Sequence, residues 1–215
     1  MITEKKGIIF DLDGVICFTD RFHYQAWKVL ADRLGIPFDE HKNNRLRGVS
    51  RMASLEIVLE DAGRCYSDQE KESFAEEKNN RYREFLQTMT PEDLSDEVRE
   101  TLSELRRRGY LLAIGSSSKN TKFILSRIGL GEFFDAVADG TDITRSKPDP
   151  EVFLIAAHKL GLAPADCAVV EDAKAGIQAA KAGGMTALAL HGDAAHCGFE
   201  DENHSSFGDL LRLFP

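Results

Sequence analysis

The chain has 215 residues, 42% hydrophobic and 29% charged, a balance that allows one sizeable core with room for a smaller second module and excludes wholesale disorder. A formal charge of −9 excludes broad nucleic-acid or anionic-membrane binding, which needs a basic face to displace counterions. No apolar run approaches the roughly 18 residues of a bilayer span, and the first residues, Met1-Ile2-Thr3-Glu4-Lys5-Lys6, lack a signal-peptide core, so a cytoplasmic location is expected.

Taken in chain order, Gly7-Ile8-Ile9-Phe10 is a short apolar run that reads as a buried strand delivering Asp11 at its carboxyl end, the edge where open α/β sheets bind ligands. Residues 19–89 then offer helical patterns at 20–34, 51–62 and 67–86 and no convincing strand. That stretch reads as a helical domain inserted after the first strand, a natural lid for excluding water. From residue 90 onward apolar runs at 110–115, 136–139, 168–172 and 186–190 alternate with helical patterns at 96–108, 120–128, 150–160 and 173–182. Strands alternating with helices imply βαβ units and a parallel sheet covered on both faces. The expected architecture is therefore α/β: a Rossmann-like parallel-sheet core formed by residues 1–17 and 90–215, with a helical cap domain at 18–89. Residues 192–206 read as a polar, turn-like tail before a short helix near Leu210.

Cys17, Cys65, Cys167 and Cys197 form no Cys-x-x-Cys pair, so neither a zinc site nor a disulfide framework is expected. The irregular spacing of His191, His196, Cys197 and His204 likewise reads as surface residues. Arg106-Arg107-Arg108 ends a helix, where solvated cations favour the carbonyl end.

Chemistry-bearing residues cluster at the expected strand ends. Asp11 and Asp13 are two apart, so both can face one cavity, one attacking phosphorus while the other moves a proton. Alone, the pair reads equally well as an acidic turn closed by Gly14. Gly115-Ser116-Ser117-Ser118-Lys119-Asn120 places hydroxyls and backbone N–H groups before a helix, an anion cradle, although a plain N-cap needs only one such serine. Lys147, held between Ser146 and Pro148, can neutralise phosphate charge or be merely a solvated lysine. Glu171 and Asp172, with Asp11, supply oxygen donors of the kind Mg²⁺ accepts. All of them in this order on successive strand ends point to phosphoryl transfer.

These motifs, from Gly7 to about Gly184, resemble the haloacid dehalogenase superfamily. The resemblance implies Asp11 as nucleophile, Asp13 as general acid/base, Ser116 as phosphate ligand, Lys147 as the charge-neutralising cation, and Asp11, Asp13, Glu171 and Asp172 around Mg²⁺. The strings His23-Tyr24-Gln25-Ala26-Trp27-Lys28, Leu46-Arg47-Gly48-Val49-Ser50-Arg51 and Lys78-Asn79-Asn80 resemble the cap of the β-phosphoglucomutase family. That likeness implies substrate contacts from His23, Trp27, Gly48, Arg51 and Lys78 in the cap and from Ser117, Lys119 and Asn120 in the core. It also implies a sugar-phosphate substrate and β-glucose 1,6-bisphosphate as intermediate and activator, while the self-contained core and lid are what make a monomer the expectation. Read as residues only, Arg51 is equally an exposed helix arginine, His23 a histidine packed beside Trp27, and Lys78 part of a solvated face. A sugar-phosphate phosphatase and a non-catalytic, aspartyl-phosphorylated signalling module are the competing readings. Phe18 stands where many relatives carry an acidic residue before the threonine.

Overall fold

The computed structural model describes residues 2–46 and 49–215. Gly48, expected among the substrate contacts, lies outside the described residues. The chain divides into one unit of residues 1–18 and 89–215 and a second of residues 19–88.

The first unit is built on strands β1 (Gly7–Phe10), β2 (Leu111–Gly115), β3 (Ala136–Ala138), β4 (Cys167–Glu171), β5 (Thr186–Leu190) and β6 (Glu202–His204). Their order across the sheet is β3-β2-β1-β4-β5-β6, all parallel, the doubly-wound order of a Rossmann-like α/β fold. Between β1 and β4 the order reverses, and there Phe10 pairs with Val170. The residues that follow both strands thus share the crevice where such sheets bind ligands.

Alternation along the strands sends Ile9, Ala113, Val169 and Ala187 into one buried cluster with Phe153, Ala156, Ile177 and Ala180. Those partners come from α7 (Glu151–Lys159) and α8 (Lys174–Ala182). On the opposite face Phe10 stacks on Phe207 with ring centroids 5.6 Å apart. Strands buried on both faces need no polar alternation, which is why they read as continuous apolar runs. Gly115 is bare for a packing reason: a Cβ there would lie 2.6 Å from the Phe153 ring.

The helical unit holds α1 (Asp20–Leu34), α2 (Glu40–Asn44), α3 (Arg51–Leu59) and α4 (Asp68–Leu86). Trp27, Leu30, Phe38, Leu55, Val58 and Phe74 make its separate core. Gly35, with φ of 70°, ends α1 through bonds from its region to Ala31 and Asp32, a left-handed cap that a side chain would strain. A capping box between Ser67 and Glu70 starts α4, satisfying donors that helix starts leave orphaned.

The polar tail differs from the sequence expectation. Residues 202–204 form an edge strand beside β5, with Leu190 opposite His204. Asp201 anchors it by accepting from the Ala187 N–H and from Lys181. An edge strand with polar residues carries no periodic apolar signal, so tertiary pairing alone decides it. Among the described residues no helix is long and apolar enough to cross a membrane.

Candidate active site

Four carboxylates and one ammonium define the carboxyl edge of β1 and β4. Lys147 Nζ donates to Asp11 Oδ1 at 2.5 Å and to Glu171 Oε1 at 2.6 Å. All three side chains are almost wholly buried. Burial pushes the Asp11 carboxyl up from its ordinary range, with Lys147 opposing that rise and Asp13 adding to it. Glu171 is also raised by burial against the same Lys147 counter-pull. Burial by itself would lower Lys147, but the charges of Asp11 and Glu171 outweigh it and the ammonium is raised. Groups perturbed in this way cluster where charge is handled. Lys147 also lies over the Phe153 ring, 4.6 Å from its centroid, so the apolar floor of the site faces a cation that favours it.

Glycines make room for the acids. Gly14 has φ of 88°, and a Cβ on it would meet Asp172 Oδ2 at 2.1 Å. A Cβ on Gly176 would meet Glu171 Oε1 at 1.9 Å. The turn after Asp13 therefore lies directly on Asp172, with the Gly14 N–H donating to the Cys17 carbonyl at 2.8 Å. Gly14 was legible as a turn glycine, whereas the closeness of Gly176 to Glu171 had no sequence signal beyond its place two residues into a helix.

After β2, Ser116 is buried and its Oγ accepts from the Ser118 N–H at 3.2 Å. Ser117 Oγ is buried with no hydrogen-bond partner among the described residues, an orphan of the kind that awaits a ligand atom. Lys119 is exposed, and Asn120, which directly precedes α6 (Thr121–Arg127), is buried.

The oxygen donors of this edge suit Mg²⁺. Glu171 has one oxygen on Lys147 and the other accepting from the Ala173 N–H at 2.7 Å, which leaves Asp11, Asp13 and Asp172 as the oxygen donors of the edge. Among the described residues no group of at least three His, Cys, Asp or Glu side chains is disposed to hold a metal. Mg²⁺ asks for less than such a cage, usually one or two carboxylates, with waters and phosphate oxygens completing it. Asp11 and Glu171 already share Lys147, so the added carboxylates of Asp13 and Asp172 leave an excess of negative charge that a divalent ion would offset. The residues fit.

In the helical unit, His23 and Trp27 on α1 meet Lys78 on α4. Lys78 is 3% exposed, overturning its reading as part of a solvated face. Its Nζ lies 2.9 Å from His23 Nδ1 and over the rings of Trp27 and Tyr82, at 4.8 and 4.7 Å. An ammonium only donates, so Nδ1 accepts and His23 is neutral with its proton on Nε2. Tyr82, whose OH donates to Thr19 at 3.0 Å, escaped the sequence reading, although its place four residues after Lys78 on one helix face was a usable signal. Arg51 opens α3 after the Ser50 cap, half-buried, and its guanidinium makes no hydrogen bond or ion pair with the described residues. Burial lowers its guanidinium from the ordinary value.

His23 gives a pH prediction. Burial, then Lys78 and Arg51, hold it well below the ordinary histidine value. The unfolded chain takes up this proton near pH 6.5 and the folded unit does not, so stability falls as pH drops below about 6.5, by at most about 1.4 kcal/mol per pH unit. Urea unfolding followed by the fluorescence of Trp27, the single tryptophan, checks it: His23→Gln should flatten the slope between about pH 6.5 and 5. An equal slope in both proteins would remove His23 as its source.

The sequence pattern of haloacid dehalogenase-like hydrolases matches residues 5–184. The chain is 42% identical to a β-phosphoglucomutase of Bacillus subtilis (strain 168) over 187 residues, 86% of this chain and 83% of that protein. It is 35% identical to a fructose-1-phosphate phosphatase of Escherichia coli (strain K12) over 191 residues, 87% of this chain and 97% of that one. Its fold superposes on the crystal structure of a β-phosphoglucomutase from Clostridium difficile with a TM-score of 0.88 at 35% identity, covering 96% and 93% of the two chains. The chain is thus an enzyme of the haloacid dehalogenase-like hydrolase family, related within it to β-phosphoglucomutases.

Proposed function

We propose that the protein interconverts β-glucose 1-phosphate and glucose 6-phosphate through an aspartyl phosphate on Asp11 and a β-glucose 1,6-bisphosphate intermediate. The observation that carries this reading is Arg51, a half-buried guanidinium with no hydrogen bond or ion pair among the described residues. A desolvated cation without a partner is costly unless a ligand supplies the anion, and the arginine fork matches a phosphate. A mutase substrate brings a second phosphate that a simple phosphatase reaction does not require. The 42% identical B. subtilis β-phosphoglucomutase supports the same choice.

In this mechanism the phosphoryl group leaves Asp11 for a sugar hydroxyl while Asp13 accepts the hydroxyl proton. The bisphosphate then reorients, its other phosphoryl group returns to Asp11, and Asp13 returns the proton to the departing oxygen. Lys147 balances charge beside Asp11, Ser116 and Ser117 hold phosphate oxygens, and Lys119 and Asn120 extend that cradle. Asp11, Asp172 and the Asp13 carbonyl would hold Mg²⁺, which when bound would supply charge neutralisation for the transfer. Arg51 holds the idle phosphate, and His23, Trp27 and Lys78 set the sugar-facing surface of the helical unit.

The phosphatase reading keeps the same nucleophile and makes water the acceptor, and the E. coli relative named for that activity keeps it in play. Phosphorus NMR separates them. With β-glucose 1-phosphate, Mg²⁺ and a trace of bisphosphate, the expected product is glucose 6-phosphate. Inorganic phosphate as the main product would overturn the mutase reading.

A further inference from the structure

Phe18 is an apolar side chain left 61% exposed. Single exposed apolar side chains are ordinary on protein surfaces, but this one is held in place. Its ring stacks on His191, with centroids 6.0 Å apart and planes 28° from parallel. His191 has φ of 46°, the left-handed region that few side chains other than asparagine, aspartate and histidine enter, and its N–H is tied to the His204 carbonyl at 3.1 Å. The backbone thus fixes the imidazole beneath an exposed ring.

The two residues leave opposite sides of the acidic edge. Phe18 follows Cys17, which bridges back to Asp13 and accepts from the Gly14 N–H. His191 precedes Gly192, where a Cβ would lie 2.1 Å from the Asp172 carbonyl oxygen. Two residues further on, the Ala194 N–H donates to that oxygen at 2.9 Å. The Phe18–His191 stack therefore joins the loop of Asp13 to the loop of Asp172, and Gly14 lies against the Asp172 carboxylate.

We propose that Phe18, supported by His191, is a specificity-determining platform that takes the apolar C–H face of a sugar ring whose phosphate lies at the acidic edge. The proposal rests on a sugar phosphate as substrate, and holds for transfer to a sugar or to water. A pyranose with equatorial hydroxyls presents axial C–H bonds on its faces, which favour an aromatic π-face, whereas a phosphoryl donor without a ring gains nothing from it.

The test compares kcat/KM for β-glucose 1-phosphate and for acetyl phosphate, which has no ring, in the wild type, Phe18→Leu and Phe18→Trp. Leucine keeps apolar bulk without a π-face, so its loss is read apart from misfolding. Phe18→Leu should lower the preference for the sugar phosphate about fivefold, the worth of one aromatic contact, through KM and not kcat. Phe18→Trp should keep that preference. An unchanged preference in Phe18→Leu, or an equal fall with both donors, would overturn the platform. If the wild type makes glucose 6-phosphate while Phe18→Leu keeps its preference, the platform falls and the mutase stands. If inorganic phosphate is the main product and the preference still drops, the mutase reading fails and the platform stands.

Discussion

Asp11→Asn is expected to abolish the phosphoenzyme and to lower kcat by at least about 10⁴, the scale seen when a covalent nucleophile is removed. Asparagine keeps the shape and an oxygen that accepts from Lys147, but it has no anionic oxygen to attack phosphorus. Mass spectrometry of the acid-quenched protein should find one phosphoryl group on the wild type and none on the variant. Stability should move the other way. Burial raises the folded Asp11 carboxyl above its unfolded value, so ionising it near neutral pH disfavours the fold. Without added Mg²⁺, the variant should therefore melt no lower than the wild type at pH 7. Loss of activity with gain of stability is the signature of a charge kept for chemistry. A variant that still turned over and still carried phosphate would remove Asp11 from the centre of the reaction.

The fold was largely legible because its signals are local. Residues 7–10, 112–115, 167–171 and 187–190 are buried on both faces, and a strand with two dry faces reads as a nearly continuous apolar run. The helix at Asp20–Leu34 starts and stops where its apolar period and Gly35 require. The strand Glu202–His204 was not legible, because its backbone pairing with β5 leaves no mark in the side chains of an exposed edge. At the site, the order Asp11, Ser116, Lys147, Asp172 was readable as chemistry at strand ends. The division of labour between Glu171 and Asp172 was not. Adjacent in sequence, one is 1% exposed and locked to Lys147, while the other lies against Gly14. Only the pleat, which sends neighbours to opposite sides, separates them. Lys78 misled for a related reason: a charge run reads as solvated unless the aromatic rings that cover it, Trp27 and Tyr82, are known to come from the right helix faces.

Lys147→Met probes the remaining half of the charge balance. Removing the ammonium leaves Asp11 and Glu171 buried and facing each other without the cation that now donates to both. Breaking a buried ion pair from one side costs about 3–5 kcal/mol because the surviving charge is uncompensated. Both carboxyls are already raised by burial, and Lys147 is what pulls them down, so in the variant they rise further. A carboxyl raised above its unfolded value binds its proton more tightly in the folded state, and its contribution to stability grows as pH falls and is lost as pH rises. Lys147→Met should therefore be least stable near neutral pH and recover toward about pH 5, in a window set by the ordinary carboxylate range and the raised folded values. Adding Glu171→Gln removes one of the stranded charges and should restore much of the stability at pH 7. It should not restore turnover, which falls by about 10³ when a preorganised charge-stabilising group is lost from a site. Hydrogen exchange of the β1 and β4 amides follows the stability of this edge. Recovery of both stability and turnover in the double variant would mean that Lys147 only compensates the buried acids. Recovery of stability alone assigns the ammonium to the phosphoryl group.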